Sequence, residues 1–320
     1  MELIIRFFKL LNRSKGKIVL MLLSAVIFIF ALFPFDDLSD LISSQVSQLS
    51  GNSLYVQFER LKMSLFPSPG IKMDQVYIES IRTPALSAQE LIITPSVTGL
   101  IAQKPYGKVE ARGFLKGNID LSVGKGKNSD NGVERQHIEV NAKKISLHDV
   151  RELANLPILL KGQLNLQSTI LADMTLQEQP DMDLDLSISQ FELPPSNVNT
   201  PMGELTLPEL KLSTVELKGR LAAGRFTIET GTFGKPGDEL QGTIRGNIGV
   251  TLQNHNGISH QIGGYNFDID MKAKKSFQER AALFLGFLDS FKTVTNEGAE
   301  YKFKASATNP AMPPKLDVAR

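Results

Sequence analysis

The chain has 320 residues, a formal net charge of +1, and neither cysteine nor tryptophan. The near-neutral balance excludes a strongly basic nucleic-acid binder, whose affinity rests on neutralising phosphates. The absence of thiols excludes disulfide staples, a thiolate nucleophile, an iron–sulfur cluster and a cysteine zinc site, while the length allows a core without staples.

The first segment, 1–17, is a basic tail carrying Arg6, Lys9, Arg13, Lys15 and Lys17. An uncharged run, 18–35, follows as IVLMLLSAVIFIFALFPF, and Asp36 and Asp37 come directly after it. As a helix this run rises about 27 Å, enough for a thin or untilted bilayer core. The basic flank predicts a single-pass anchor with the N-terminus in the cytoplasm and the bulk of the chain across the membrane. A cleaved signal peptide needs a shorter apolar stretch and small residues before the cut. Leu32, Phe33, Pro34 and Phe35 are large, so an uncleaved anchor is expected.

Residues 36–52 predict an amphipathic helix. Leu38, Leu41, Ile42, Val46 and Leu49 recur at helical spacing with Gln45 on the same stripe, Asp36 or Asp37 can cap the start, and Gly51 ends it. Its polar face lacks Lys and Arg to meet anionic lipid, so packing on the domain behind it is expected.

From Gly51 onward the period changes to two. The clearest run is 158–176, where Ile158, Leu160, Gly162, Leu164, Leu166, Ser168, Ile170, Ala172, Met174 and Leu176 share one face. Residues 109–123 read as another alternating strand, as do 240–252, 265–273 and 301–307. Shorter runs fall at 54–66, 71–79, 86–94, 137–147, 182–193, 204–217 and 225–230, and 124–136 reads as a long loop. Two helices interrupt them, a short one at about 148–155 and a stronger one at 276–291. In the latter, Phe277, Ala281, Phe284, Leu285, Leu288 and Phe291 form an apolar stripe, with Phe284 and Leu288 expected deepest.

The domain 53–320 is therefore expected to be mainly β: an elongated, curled antiparallel sheet, trough or sandwich-like, with few helices and one transmembrane helix before it. The candidate apolar groove or core comprises Leu115, Ile119, Leu164, Leu166, Ile170, Ile244, Ile248, Phe267, Ile269, Phe284 and Leu288. Glycines on the same face, including Gly113, Gly117, Gly162, Gly242 and Gly246, either permit curvature or relieve crowding.

Residues that carry chemistry are sparse. His255 and His260 sit in a Gly/Asn-rich loop without helical ligand spacing, and His137 and His148 stand apart. Asp181, Asp183 and Asp185 share a strand face, as do Asp268 and Asp270, each set opposite an apolar face where a solvated surface is expected. No nucleophile elbow, phosphate loop or zinc-helix motif occurs. The chain is not expected to be an enzyme, and no catalytic residue, cofactor or metal ligand is assigned.

Behind the tail and an anchor ending in FPF, the stretch LYVQFERLKMSLFPSPGIKMDQVYIES resembles the opening of AsmA-like periplasmic proteins. GRFTIETGTFGKPGDELQGTIRGNIGVTL and the closing YKFKASATNPAMPPKL resemble the type II secretion system protein N (GspN) group, which is built on the same kind of sheet. The resemblance runs from about residue 15 to the end. It implies a Gram-negative inner-membrane protein with its bulk in the periplasm, an accessory secretion component acting through contacts with other type II secretion subunits. The alternative it carries is AsmA-like binding or transport of phospholipid or another acyl lipid along an apolar β groove. Each methylene buried there would contribute about 0.8 kcal/mol. A face closed on itself favours the first, and a continuous open face the second.

Overall fold

The computed structural model describes residues 38–64, 69–80, 84–200, 203–254 and 258–319, with five isolated positions between 16 and 28. The expected tail, 1–17, and anchor, 18–35, otherwise lie outside them. Among the described residues no helix is long and apolar enough to cross a membrane.

Helix α1 (Leu38–Leu49) docks on the first strands. Ile42 packs against the cluster of Phe58, Leu61, Met73 and Val76. Ser43 is buried and donates its hydroxyl to the Val56 carbonyl. Leu41, expected on the same stripe, is 57% exposed.

The strands then run as a meander. β1 (Leu54–Gln57), β2 (Arg60–Ser64), β3 (Gly70–Ser80) and β4 (Leu86–Pro95) lead to a short helix, α2 (Val97–Ala102). β5 (Gly107–Phe114), β6 (Gly117–Lys125) and β7 (Gln136–Ser146) precede α3 (Leu147–Leu153). β8 (Lys161–Ala172) and β9 (Asp181–Leu193) are followed by a separate hairpin, β10 (Ser196–Thr200) and β11 (Gly203–Leu207). β12 (Leu210–Ala222), β13 (Arg225–Phe233), β14 (Leu240–Asn254) and β15 (Ile258–Lys274) complete the centre. α4 (Lys275–Arg280), α5 (Ala282–Leu285) and a 3-10 turn (Gly286–Phe291) lead to β16 (Lys292–Val294), β17 (Gly298–Ala307) and β18 (Lys315–Val318).

All strands except β10 and β11 form one sixteen-stranded antiparallel sheet, ordered β1-β3-β4-β5-β6-β7-β8-β9-β12-β13-β14-β15-β17-β16, with β2 beside β3 and β18 beside β17. Neighbours alternate in direction, so connections fall at two ends. The loop end carries α2, residues 126–135 and 173–180, and the turn after β12. The helix end carries α3 and α4–α5. The close backbone contacts of each central strand are with its sheet neighbours, so the strands form one continuous sheet. Both sheet edges end in strands of three to five residues, which limits edge-to-edge pairing.

Several expectations change at this level. Residues 109–123 are two strands, not one: Leu115 and Lys116 form a hairpin turn with φ of 48 and 64°, as a type I′ turn requires. Leu115 is therefore a turn residue, not part of the inner face. The two-residue turn pairs Phe114 with Gly117, and a bulge at Gly113 adds the one residue that brings Ala111 opposite Ile119, so the odd-numbered alternation continues through the reversal. The run 54–66 splits into β1 and β2 about the buried Phe58. The run 204–217 divides at Pro208–Glu209 between β11 and β12. The helix 276–291 breaks at Ala281 into three short turns. Its deepest residues are Phe277, Ala281 and Leu285; Phe284 and Leu288 are only half-buried. α2, which carries no long periodic stripe, was not expected.

β8 stops at Ala172 although the alternation continues, and Asp173 is the reason. Its carboxylate accepts from the backbone N–H of Thr175 at 2.9 Å, the Thr175 hydroxyl at 2.8 Å and the backbone N–H of Gln177 at 2.8 Å, folding the chain out of the strand. Met174 is left 57% exposed. The loop continues into a polar network. Glu178 accepts from Ser129 and Asn131, Arg135 pairs with Asp181 at 2.7 Å, and the Gln179 amide bonds both backbone groups of Leu252 at 2.9 Å. Burial pushes the Asp173 carboxyl upward, but these local donors outweigh it and hold it below the usual range. A depressed folded value means stability that is present above the unfolded value, about 3.9, and lost as pH falls through the folded one. Asp173→Ala is expected to cost about 1–3 kcal/mol at neutral pH. The gap from wild type should shrink below about pH 4, as urea melts across pH would show; a gap that does not shrink there would mean Asp173 acts only by shape.

Candidate functional site

The central feature is an apolar face that continues from strand to strand in register. Leu91, Ala111, Ile119, Ala142, Leu166, Leu186, Leu217, Gly231, Ile244, Ile269 and Phe303 stand opposite one another in turn, a single row across eleven strands. A second row runs Val123, Ile138, Ile170, Met182, Leu221, Phe226, Ile248 and Tyr265. Register is kept in spite of bulges in β7 near Lys144, in β9 at Gln190 and in β13 at Glu229–Thr230. Each bulge adds a residue without turning the strand over, and bends it locally.

Helices roof the flanks of this face. α1 covers the first strands. At the far side Phe277, Ala281 and Leu285 pack on Met271, Ala273, Ala299, Tyr301 and Phe303. α3 follows β7 at the helix end and contacts β7 and β8. Between the flanks lie eight strands, β5 to β14. At about 4.8 Å per strand these span about 38 Å. Most aliphatic residues here are half-buried, while Ala142, Ile145, Leu212, Leu221 and Ile228 are buried. Seven of the expected residues, Ile119, Leu164, Leu166, Ile170, Ile244, Ile248 and Phe267, lie on this stretch or its margin. Ile269 belongs to the covered C-terminal cluster with Leu288, while Phe284 is outside that cluster. Met182, Leu184, Leu186, Ile188, Val215 and Leu217 stand at its centre. Their even spacing was the available signal, but nothing in one strand's sequence distinguishes the middle of a sheet from its margin.

Polar atoms are kept off this face. Ser168, between the two rows and opposite Val140 and Leu184, is buried and donates its hydroxyl to the Asp183 carbonyl at 2.9 Å. An added Cβ at Gly242 would meet the Asp270 carbonyl oxygen at 2.4 Å and the Phe233 ring carbon Cζ at 2.5 Å, so this glycine admits both the neighbouring backbone and an aromatic ring. Gly246, at φ of 143°, is also a backbone requirement, since a Cβ there would lie 2.0 Å from the Asn266 carbonyl oxygen.

The opposite face is a lattice of charge pairs. Asp185 faces Lys218 at 2.7 Å, Asp183 faces Arg220 at 3.6 Å, Asp270 faces Lys302 at 3.3 Å and Asp268 faces Lys304 at 3.9 Å. Such exposed pairs contribute little stability each, but opposite charges in register favour this pairing over a slipped one. A depression of about 760 Å³ on this face includes Lys116, Lys144, Lys161 and Lys211. Asp149, Glu192 and Glu209 answer the ammonium groups of Lys116, Lys161 and Lys211 at 3.0, 3.3 and 2.6 Å. His148, Asp149 and Glu152 could converge on a metal ion, but the Lys116 ammonium already occupies Asp149. His137 contacts Glu139 at 2.9 Å, His260 sits opposite Leu252 in the β14–β15 ribbon, and His255 lies outside the described residues. Three of the four lysines in the depression are thus spent on carboxylates, and the half-buried apolar face is the candidate site.

No protein-family model, curated protein or solved structure matches the chain.

Proposed function

We propose that the β domain holds the hydrocarbon chains of lipids on its uncovered apolar face, as a trough, while the run 18–35 anchors it in the bacterial inner membrane with the domain in the periplasm. The observation that carries this reading is the unbroken apolar row from Ala111 to Ile244, whose large side chains are only half-buried. The occupant follows from the chemistry. The backbone groups of the central strands are spent on their ladders, and the row offers no side-chain donor or acceptor. An extended peptide laid there would leave its own amides unpaired, at about 1–3 kcal/mol each. An acyl chain has nothing to leave unpaired. A chain of about sixteen methylenes, half covered, would gain on the order of 6 kcal/mol. The uncovered width exceeds the roughly 30 Å hydrocarbon core of a bilayer, so more than one chain fits across it.

A second reading is the accessory role in type II secretion, motivated by the GspN-like segments 224–252 and 301–316. In it, a partner subunit covers the apolar face; the short edge strands make edge addition the weaker route. Native mass spectrometry of gently extracted protein tests both. Acyl lipid retained at defined stoichiometry is the expected result. Protein free of lipid but bound to secretion subunits would replace the first reading with the second.

A further inference from the structure

α2 is a well-built helix that turns its apolar residues outward. The Ser96 side chain caps its start at the Gly99 amide, and Gln103, at φ of 54°, closes its end by donating to the Gly99 and Leu100 carbonyls. Gly99 is its buried residue, packed against Tyr106 and the Lys104 carbonyl. Val97, Leu100 and Ile101 are 57, 60 and 81% exposed. Three large aliphatics on one short, doubly capped helix form an apolar knob at the loop end of β4 and β5.

The chain that precedes α1 indicates what meets this knob. Ser47 near the end of α1 bonds Asn52, just before β1, and Ser43, one turn earlier, bonds Val56 within β1. α1 therefore runs back along β1, and its first turn points toward the loop end, where α2 lies. The apolar run Ile18–Phe35 ends three residues before Leu38. At the same end of β2, Met63 is 40% exposed. Beside the helix Lys104 pairs with Glu134 at 3.0 Å, and Lys125 closes β6 at this end.

We propose that α2 is a membrane-contact element: Val97, Leu100 and Ile101 enter the outer hydrocarbon of the bilayer that the 18–35 run crosses. This rests on the anchor reading above. It sets the orientation of the domain, with the loop end of the N-terminal strands against lipid. β5, the first uncovered strand, begins at Gly107, five residues beyond α2. The open face would then start at the membrane surface, where an acyl chain can leave the bilayer for the sheet.

The cysteine-free sequence allows single labels in the full chain. Ile101→Cys, Phe287→Cys and Phe28→Cys would each carry a nitroxide in vesicles of phosphatidylethanolamine and phosphatidylglycerol. Collision with oxygen is compared with collision with a water-soluble nickel chelate. Phe287, 75% exposed at the helix end, is the aqueous reference. The expected result is an oxygen-to-nickel ratio at 101 several-fold above that at 287, with 28 higher still. A lipid signal at 28 and a water signal at 101 overturns the α2 contact and leaves the anchor standing. A water signal at 28 overturns the anchor, and this inference with it. Equal lipid signals at 101 and 287 overturn the one-ended orientation.

Discussion

Phe277→Ala will lower the free energy of unfolding by about 3–5 kcal/mol, the usual cost of emptying a buried phenylalanine site. Phe277 is 6% exposed and sits with Ala281 and Leu285 on Ala273, Ala299 and Tyr301, where the C-terminal strands acquire their only layer of cover among the described residues. The helix bearing it is short and broken at Ala281, so it has little stability of its own and is held by this contact. The Arg280–Glu239 ion pair ties the same turn to the loop before β14. Loss of the ring should therefore release α4 as well as open a cavity. Phe284→Ala, half-buried and outside the cluster, and Phe287→Ala, 75% exposed, should each cost far less, within about 1 kcal/mol. Urea melts of the three variants decide the matter. Equal losses at 277 and 287 would mean that the helix does not cap the sheet.

Leu166→Asp will abolish lipid retention while leaving most of the fold. Leu166 stands between Ala142 and Leu186 in the middle of the apolar row and is half-buried. In the empty protein its carboxylate can reach water, so the stability cost should stay near about 1–3 kcal/mol. With an acyl chain on the face, that water is displaced and the charge loses its hydration, a penalty of several kcal/mol unless it is paired. A tenfold weaker binding corresponds to about 1.4 kcal/mol, so a loss well beyond tenfold is expected. Gln167→Lys is the control. Gln167 faces the other way, opposite Asn141 and Asp185, where an added lysine meets a carboxylate. Lipid retained on gentle extraction and the melting midpoint are measured together. Equal retention in the two variants would show that lipid, if bound, does not lie on this face.

Much of this was legible in the residue order. Period-two alternation marked most central strands because one side of each strand is dry and the other wet. The charge pairs across β9 and β12 explain why Asp181, Asp183 and Asp185 looked like a solvated face, since Lys218 and Arg220 lie opposite two of them. The missed hairpin at Leu115–Lys116 has an equally plain cause. Neither residue is the Asn or Gly that usually marks such a turn, and the bulge at Gly113 cancels the phase shift that a two-residue turn would leave in the alternation. α2 escaped because six residues are too few for a helical stripe, and because its apolar residues face outward.

The sequence by itself determined that the domain is mainly β, that each strand has an apolar and a polar side, and that a basic-flanked apolar run precedes it. These are local properties, set by side-chain alternation, turn residues and composition. Only the tertiary structure decided that the strands join into one sheet, which residues of the helical segment reach the core, and that most large side chains in the middle of the apolar face stay half-buried. Those outcomes depend on pairing between strands tens of residues apart, on where bulges shift the register, and on which short helix falls over which strands. An alternating strand reads the same whether its dry side meets a second sheet, a helix or nothing.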